Sequence, residues 1–257
     1  MINVSNLKID FKKNISKQNL KKNEGNVLLL DNFKEIKFKP MWLNNEIEKF
    51  LTYSSKSRKI KQPYLFETQF GLFLIIPILK KFNDYSLDIE NQGGLIFDKI
   101  STDFYDNINF YIDDELYSSN LLRGFCLNSY KFVNYKSSTN KSKIKNILVF
   151  SQNYSKIKSS FQFDLNLVKG VYFARDLVWK PANILNPKSF AEECKKLKKF
   201  GVKVQILNER NLKKIGMTSL LAVGQGSRQE SHVVVMEWNG GKKNEKPLTI
   251  VGKGVCF

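Results

Sequence analysis

Few residues in this sequence are suited to chemistry. There is one histidine, His232, and there are three cysteines, Cys126, Cys194 and Cys256, with no C-x-x-C pair among them. An odd number of widely separated cysteines excludes a disulfide framework and a cysteine-rich zinc site. A single histidine excludes a His-rich metal centre, so a metal here would need carboxylates or a less usual donor. Lys253 stands between Gly252 and Gly254, directly after the apolar run Leu248 to Val251. Taken alone, a lysine at a strand end is a solvated cation. His232, at the start of a β-rich run, reads as a surface histidine, and Cys126 and Cys256 read as small buried hydrophobes. Gly224-Gln225-Gly226 reads as a glycine turn, because no Gly-Lys-Ser/Thr follows to open a phosphate-binding helix.

Elements of both kinds must position these residues. Short β-rich runs at Val27 to Leu30, Phe70 to Ile76, Gly94 to Phe97 and Ile147 to Phe150 are too short for helices and predict strands covered on both faces. Leu43 to Leu51 has apolar residues four apart and predicts a helix, as does Leu121 to Tyr130. Leu165, Val168, Tyr172 and Arg175 predict another, ending before Pro181. Ser189 with Glu192 suggests a capping box for a helix that Gly201 ends. Beyond it the pattern predicts a strand at Val202 to Leu207, a short helix at Asn208 to Ile215, and strands at Val233 to Glu237 and Leu248 to Val251, with Gly240-Gly241 as a possible hairpin loop. The fold class is α/β, with a mixed sheet flanked by helices.

The chain has 257 residues, a length that favours two domains. Its 42 basic and 24 acidic residues give +18, yet only five of the basic residues are arginines. Arginine is the side chain shaped for bidentate contacts with base edges and phosphates, so the charge is read first as a lysine-rich solvated surface. The lysines at 195, 196, 198 and 199 likewise read as the outward face of a helix. The start of the chain lacks a basic stretch followed by an apolar core, so no secretory signal is read there. The most apolar run, Phe70 to Leu79, is about half the length of a membrane helix. A cytoplasmic location with reduced thiols is expected, with no membrane partner.

Four blocks stand in a familiar order: Ala174-Arg175-Asp176-Leu177 with Pro181-Ala182-Asn183; Ile215-Gly216-Met217; Leu221-Ala222-Val223-Gly224-Gln225-Gly226-Ser227; and Val251-Gly252-Lys253-Gly254. In order and spacing, this stretch of about residues 165 to 257 resembles the leucyl (cytosol) aminopeptidases. The first 160 residues match only loosely, through Gly124-Phe125-Cys126-Leu127 and Tyr130-Lys131-Phe132, as the family's variable N-terminal domain would.

The resemblance implies a metallo-exopeptidase that releases leucine-like N-terminal residues from peptides, using two divalent ions, manganese or zinc. It places the family's ligand lysine at Lys253. A free lysine has a pKa of about 10.4, so as a ligand its proton must be displaced by the dication. It also implies a homohexamer. The polar, lysine-rich stretch Asn153 to Ser160, after the expected strand Ile147 to Phe150, reads as the boundary between an N-terminal domain, 1–155, and the beginning of a catalytic domain, 156–257. Two positions depart from the pattern. Trp179-Lys180 stands where the family commonly has Asn and an acidic residue, and Cys256 replaces a small hydroxyl residue. The family's first aspartate ligand falls one position after Phe257. This chain is therefore expected to be an incomplete catalytic domain that is inactive alone, binds no metal tightly and leaves an apolar sheet face exposed. The alternatives are a non-enzymatic basic module that contacts nucleic acid, and a structural subunit that joins full-length relatives.

Overall fold

A computed structural model describes residues 2–4, 7–13, 24–30, 63–68, 71–78, 81–100, 105–135, 144–242 and 244–256, with single positions at 45, 48, 49 and 137. The chain divides into two compact units, Met1–Phe173 and Ala174–Phe257. The expected boundary at 155/156 falls in the first turn of a 26-residue helix, Tyr154–Trp179, and the division comes later along that same helix. The lysine-rich stretch after Asn153 is thus helical. Its Ile157, Phe161, Leu165 and Val168 recur at helical spacing and are buried.

Unit 1 is built on a seven-stranded sheet. Its strands are β1 (Ile2–Val4), β2 (Leu7–Lys12), β3 (Glu24–Leu30), β4 (Tyr64–Thr68), β5 (Gly71–Pro77), β6 (Asn107–Tyr111) and β7 (Asn146–Phe150), in the order β1-β2-β7-β6-β3-β5-β4. The five inner strands are parallel, while β1 and β4 add antiparallel edges. Three helices, α1 (Tyr85–Ile100), α2 (Glu115–Asn128) and α3 (Tyr154–Trp179), contribute Ile96, Leu121, Phe125 and Phe161 to one core with Ile9, Val27, Leu74, Ile108 and Ile147 of the strands. Alternate residues Leu28, Phe73 and Ile75 are also fully buried, so the central strands are covered on both sides as their near-continuous apolar sequences require.

The run Gly94 to Phe97, expected as a strand, lies inside α1. Gly93 explains why the backbone must stay helical there. A Cβ on Gly93 would lie 2.0 Å from the carbonyl oxygen of Leu121, and one on Gly124 would lie 1.8 Å from that of Glu90. The two helices touch backbone to backbone, which only glycine permits. Arg123 ties the same helices to α3, donating from Nε to Glu90 at 2.5 Å and from Nη1 to Asp164 at 2.6 Å. On the sheet, Glu24, Asn26 and Asn109 are buried, and Asn109 Nδ2 donates to Glu24 Oε2 and Asn26 Oδ1, each at 3.0 Å. The helix expected at Leu43 to Leu51 lies outside the described residues except at positions 45, 48 and 49, where the backbone is helical.

Unit 2 contains α4 (Pro187–Lys195), a 3₁₀ turn at Lys196–Phe200, β8 (Lys203–Leu207), α5 (Glu209–Lys214), α6 (Thr218–Gly224) and β9 (Val233–Glu237). β8 and β9 form an antiparallel pair, with Val204 opposite Met236 and Ile206 opposite Val234. Leu248 to Val251 is not a strand, and there is no hairpin across Gly240-Gly241, because the partner of β9 is β8. Paired with no strand among the described residues, that run is irregular and exposed: Leu248 is 89%, Ile250 86% and Val251 92% accessible. No helix among the described residues is long and apolar enough to cross a membrane.

Candidate functional site

The blocks that could form a site lie in unit 2, where glycines and polar caps set the path of the backbone. Asn186, not Ser189, caps α4: its side chain accepts from the Ser189 N–H at 3.1 Å, and Ser189 Oγ accepts from the Asn186 N–H at 2.9 Å. Pro187 accounts for the shift, because proline at the first helical position needs no donor and arrives with a helical φ. Asn208 and Asn211 repeat the reciprocal cap at α5. Gly201 ends the 3₁₀ turn at φ 86°, and Gly216 turns the chain between α5 and α6 at φ 75°. A left-handed backbone at both positions is what glycine supplies.

The block from Leu221 to Ser227 covers most of α6 and the turn after it. A Cβ on Gly224 would lie 2.1 Å from Ser231 Oγ, so the glycine brings this turn against the residue just before His232 and β9. Cys194 is buried and Cys256 half-buried, and burial raises both thiols above their ordinary pKa. Cys126, in α2, is wholly buried and pushed up to about 12. None of the three is a thiolate nucleophile at neutral pH.

Lys253 is exposed in the irregular segment after β9. Its neighbours differ. A Cβ on Gly252 would meet nothing within 4 Å, whereas one on Gly254 would lie 2.5 Å from the Phe190 ring of α4. Packing against Phe190 therefore fixes the residue after Lys253 and leaves the lysine itself open. His232 Nδ1 lies 2.9 Å from the Glu230 carbonyl, and since a carbonyl only accepts, that nitrogen carries the proton. Lys180, at the position where the sequence departs from the aminopeptidase pattern, pairs with Glu193 of α4 at 3.2 Å. The Glu193 carboxyl is held below its usual value, first by hydrogen bonding to Lys196 and then to Lys180.

These residues do not by themselves fit a two-metal site. Among the described residues, no group of three or more His, Cys, Asp or Glu side chains converges where an ion could be held. A lone lysine amine cannot neutralise or coordinate two dications.

Residues 172–257 match the family model described as cytosol aminopeptidase family, catalytic domain. This stretch is similar to the catalytic domain of the cytosol aminopeptidases. Among curated proteins, the probable cytosol aminopeptidase of Chelativorans sp. is 44% identical over 144 residues, covering 54% of this chain and 29% of that protein. The protein of the same description from Brucella suis is 46% identical over 140 residues, and that of Nitrobacter winogradskyi is 38% identical over 184 residues, covering 67% of this chain and 36% of its own length. The matches thus span about a third of the relatives. Among solved structures, a mutant of tomato leucine aminopeptidase aligns with a TM-score of 0.70 at 18% identity, covering 92% of this chain and 52% of that one. The bottromycin maturation enzyme BotP, in complex with Mn, aligns at 0.63 and 14% identity, covering 85% and 46%. At those identities the likeness establishes the α/β fold.

Three of the four blocks quoted from the sequence have a definite place in unit 2. They set the turn after α5, the turn after α6 against Ser231, and the glycine-flanked lysine beside Phe190. A concavity on α4 has a fainter sequence signal, a lysine at 188 and another seven residues on at 195, which puts both on one helical face.

Proposed function

We propose that residues 172–257 serve in a metal-dependent aminopeptidase that releases leucine-like N-terminal residues from peptides, and that Lys253 is this chain's contribution to a site for two divalent ions, manganese or zinc. The supporting observation is the catalytic-domain match over this stretch, a span that includes the glycine-flanked Lys253. The fold likeness to an Mn-bound maturation enzyme agrees with a divalent metal. Among the described residues no carboxylate cluster accompanies Lys253, so hydrolysis is assigned to a site whose remaining ligands lie outside them.

The test transplants the segment. Residues 172–257 replace the matching stretch of the Brucella suis relative, and the chimera is assayed on a leucine anilide with added manganese or zinc. Metal-dependent turnover is expected, falling by about 100-fold or more on Lys253→Ala, as loss of a metal ligand should produce. A folded chimera without turnover, or one indifferent to Lys253→Ala, would overturn the proposal. The 257-residue chain alone should show neither turnover nor stoichiometric manganese binding by calorimetry, because an incomplete ligand set forfeits most of the binding free energy.

A further inference from the structure

The concavity on α4 has a volume of about 310 Å³ and lies wholly within unit 2. Its lining includes the exposed Lys188 and Lys195 of α4 and Lys198 of the following 3₁₀ turn, together with the buried Ala191 and the half-buried Val204 and Ile206. Three lysines and an apolar group of side chains therefore share one cavity. Glu192 is the one carboxylate in the lining, and it lies 3.5 Å from Lys195 Nζ, so it offsets only part of the charge. The lining also holds Asn208 and His232. Asn208 Oδ1 is engaged in the α5 cap, which leaves its amide N–H groups with no partner among the described residues.

A dianion bound in a cavity lined by three lysines would be attracted by all of them. Lysine meets phosphate as a point charge, and three such charges with an amide donor match a group that offers several acceptor oxygens and nearly two negative charges. The apolar side chains suit a short hydrocarbon or aromatic body attached to it. We infer that this cavity binds a small phosphate monoester, with the phosphate at the three lysines and the organic part against Val204 and Ile206. The site is separate from Lys253 and does not depend on peptidase activity.

The experiment titrates the full chain with phenyl phosphate, inorganic phosphate and a short single-stranded DNA, following backbone amide shifts. Phenyl phosphate should bind saturably, shift the amides of α4 and β8, and bind more tightly than inorganic phosphate. Replacing Lys188, Lys195 and Lys198 together by Ala should weaken it at least tenfold. An equally charge-depleted variant with Ala at Lys156, Lys158 and Lys169, exposed on α3, should bind as the parent does. Equal loss in both variants would reduce the effect to net charge and overturn the inference, as would shifts scattered over both units. Tighter binding of DNA with footprints outside α4 and β8 would assign the basic surface to nucleic acid instead.

Discussion

In unit 1 the buried residues come from every inner strand and from three helices, and they form one core. In unit 2 the buried apolar residues among those described are Leu185, Ala191, Cys194 and Leu212, while Trp238, Leu248, Ile250 and Val251 are exposed. Yet the catalytic-domain family model matches 172–257, which is essentially unit 2, while the alignments with curated relatives, 140 to 184 residues long, also run into unit 1. What is recognisable in unit 2 is a set of turns and one lysine, constraints of a site. What holds unit 1 together is apolar volume, which many sequences can supply. Ease of recognition and density of packing are therefore separate properties: the stretch that the family model matches is the one with fewer buried apolar residues.

If that contrast is real, the most damaging single change should lie in unit 1 and be polar. Arg123 has 14% of its side chain exposed and joins Glu90 and Asp164. Arg123→Met would strand both carboxylates in a half-buried setting, at a cost of about 3 kcal/mol. Urea unfolding followed by fluorescence should show that loss, and a midpoint within error of the parent would break the comparison.

Two glycines sharpen it. Gly124→Ala forces a methyl group to within 1.8 Å of a backbone oxygen, so α1 and α2 must separate. Overpacking of that kind costs about 2 to 3 kcal/mol. Gly252→Ala meets nothing within 4 Å, and its stability should be unchanged to within about 0.5 kcal/mol. The pair, measured side by side in the same urea series, separates a glycine kept for packing from one kept for a site.

Much of this was legible in the sequence, and the misses have physical causes. Val27 to Leu30 and Ile147 to Phe150 were readable as strands because both faces are buried and the apolar run is continuous. Gly94 to Phe97 has the same look, but it is one turn of a helix, with Ile96 and Phe97 buried and Leu95 exposed, docked on α2 through Gly93, a contact more than 25 residues away in sequence. Leu248 to Val251 has strand propensity but pairs with no strand among the described residues, so tertiary context overrode local preference. For the site, the glycine-flanked Lys253 stood out by its motif. The cavity on α4 did not, because its lining comes from a helix, a 3₁₀ turn and a strand.

Backbone opening gives a more graded test. Amides of β6 and β7 sit in the middle of a seven-stranded sheet over the core, whereas β8 and β9 form a two-stranded pair with half-exposed side chains. Native-state hydrogen exchange should find the slowest β6 and β7 amides protected about 100-fold more than those of β8 and β9, about 2.7 kcal/mol in opening free energy. Equal protection would mean that the two units open together.

The smallest effect concerns Glu193, whose depressed carboxyl pKa owes most to the hydrogen bond from Lys196. A group whose folded pKa lies below its unfolded value stabilises the fold above the unfolded value and loses that contribution as pH falls through the folded one. For Glu193 the ordinary value is 4.5, so its contribution should be complete at neutral pH and fade below pH 4.5. The two lysines that hold it are partly solvated, with Lys196 62% and Lys180 21% exposed, so screening keeps the gain below about 1 kcal/mol. Glu193→Gln should therefore lower the unfolding midpoint slightly at pH 7 and not at pH 3. The shift should appear in probes placed in unit 2, such as a reporter on α4, and be absent from the main transition of unit 1. An effect of equal size at both pH values would show that the side chain acts by packing, leaving its charge with no part in holding α4 to Lys180.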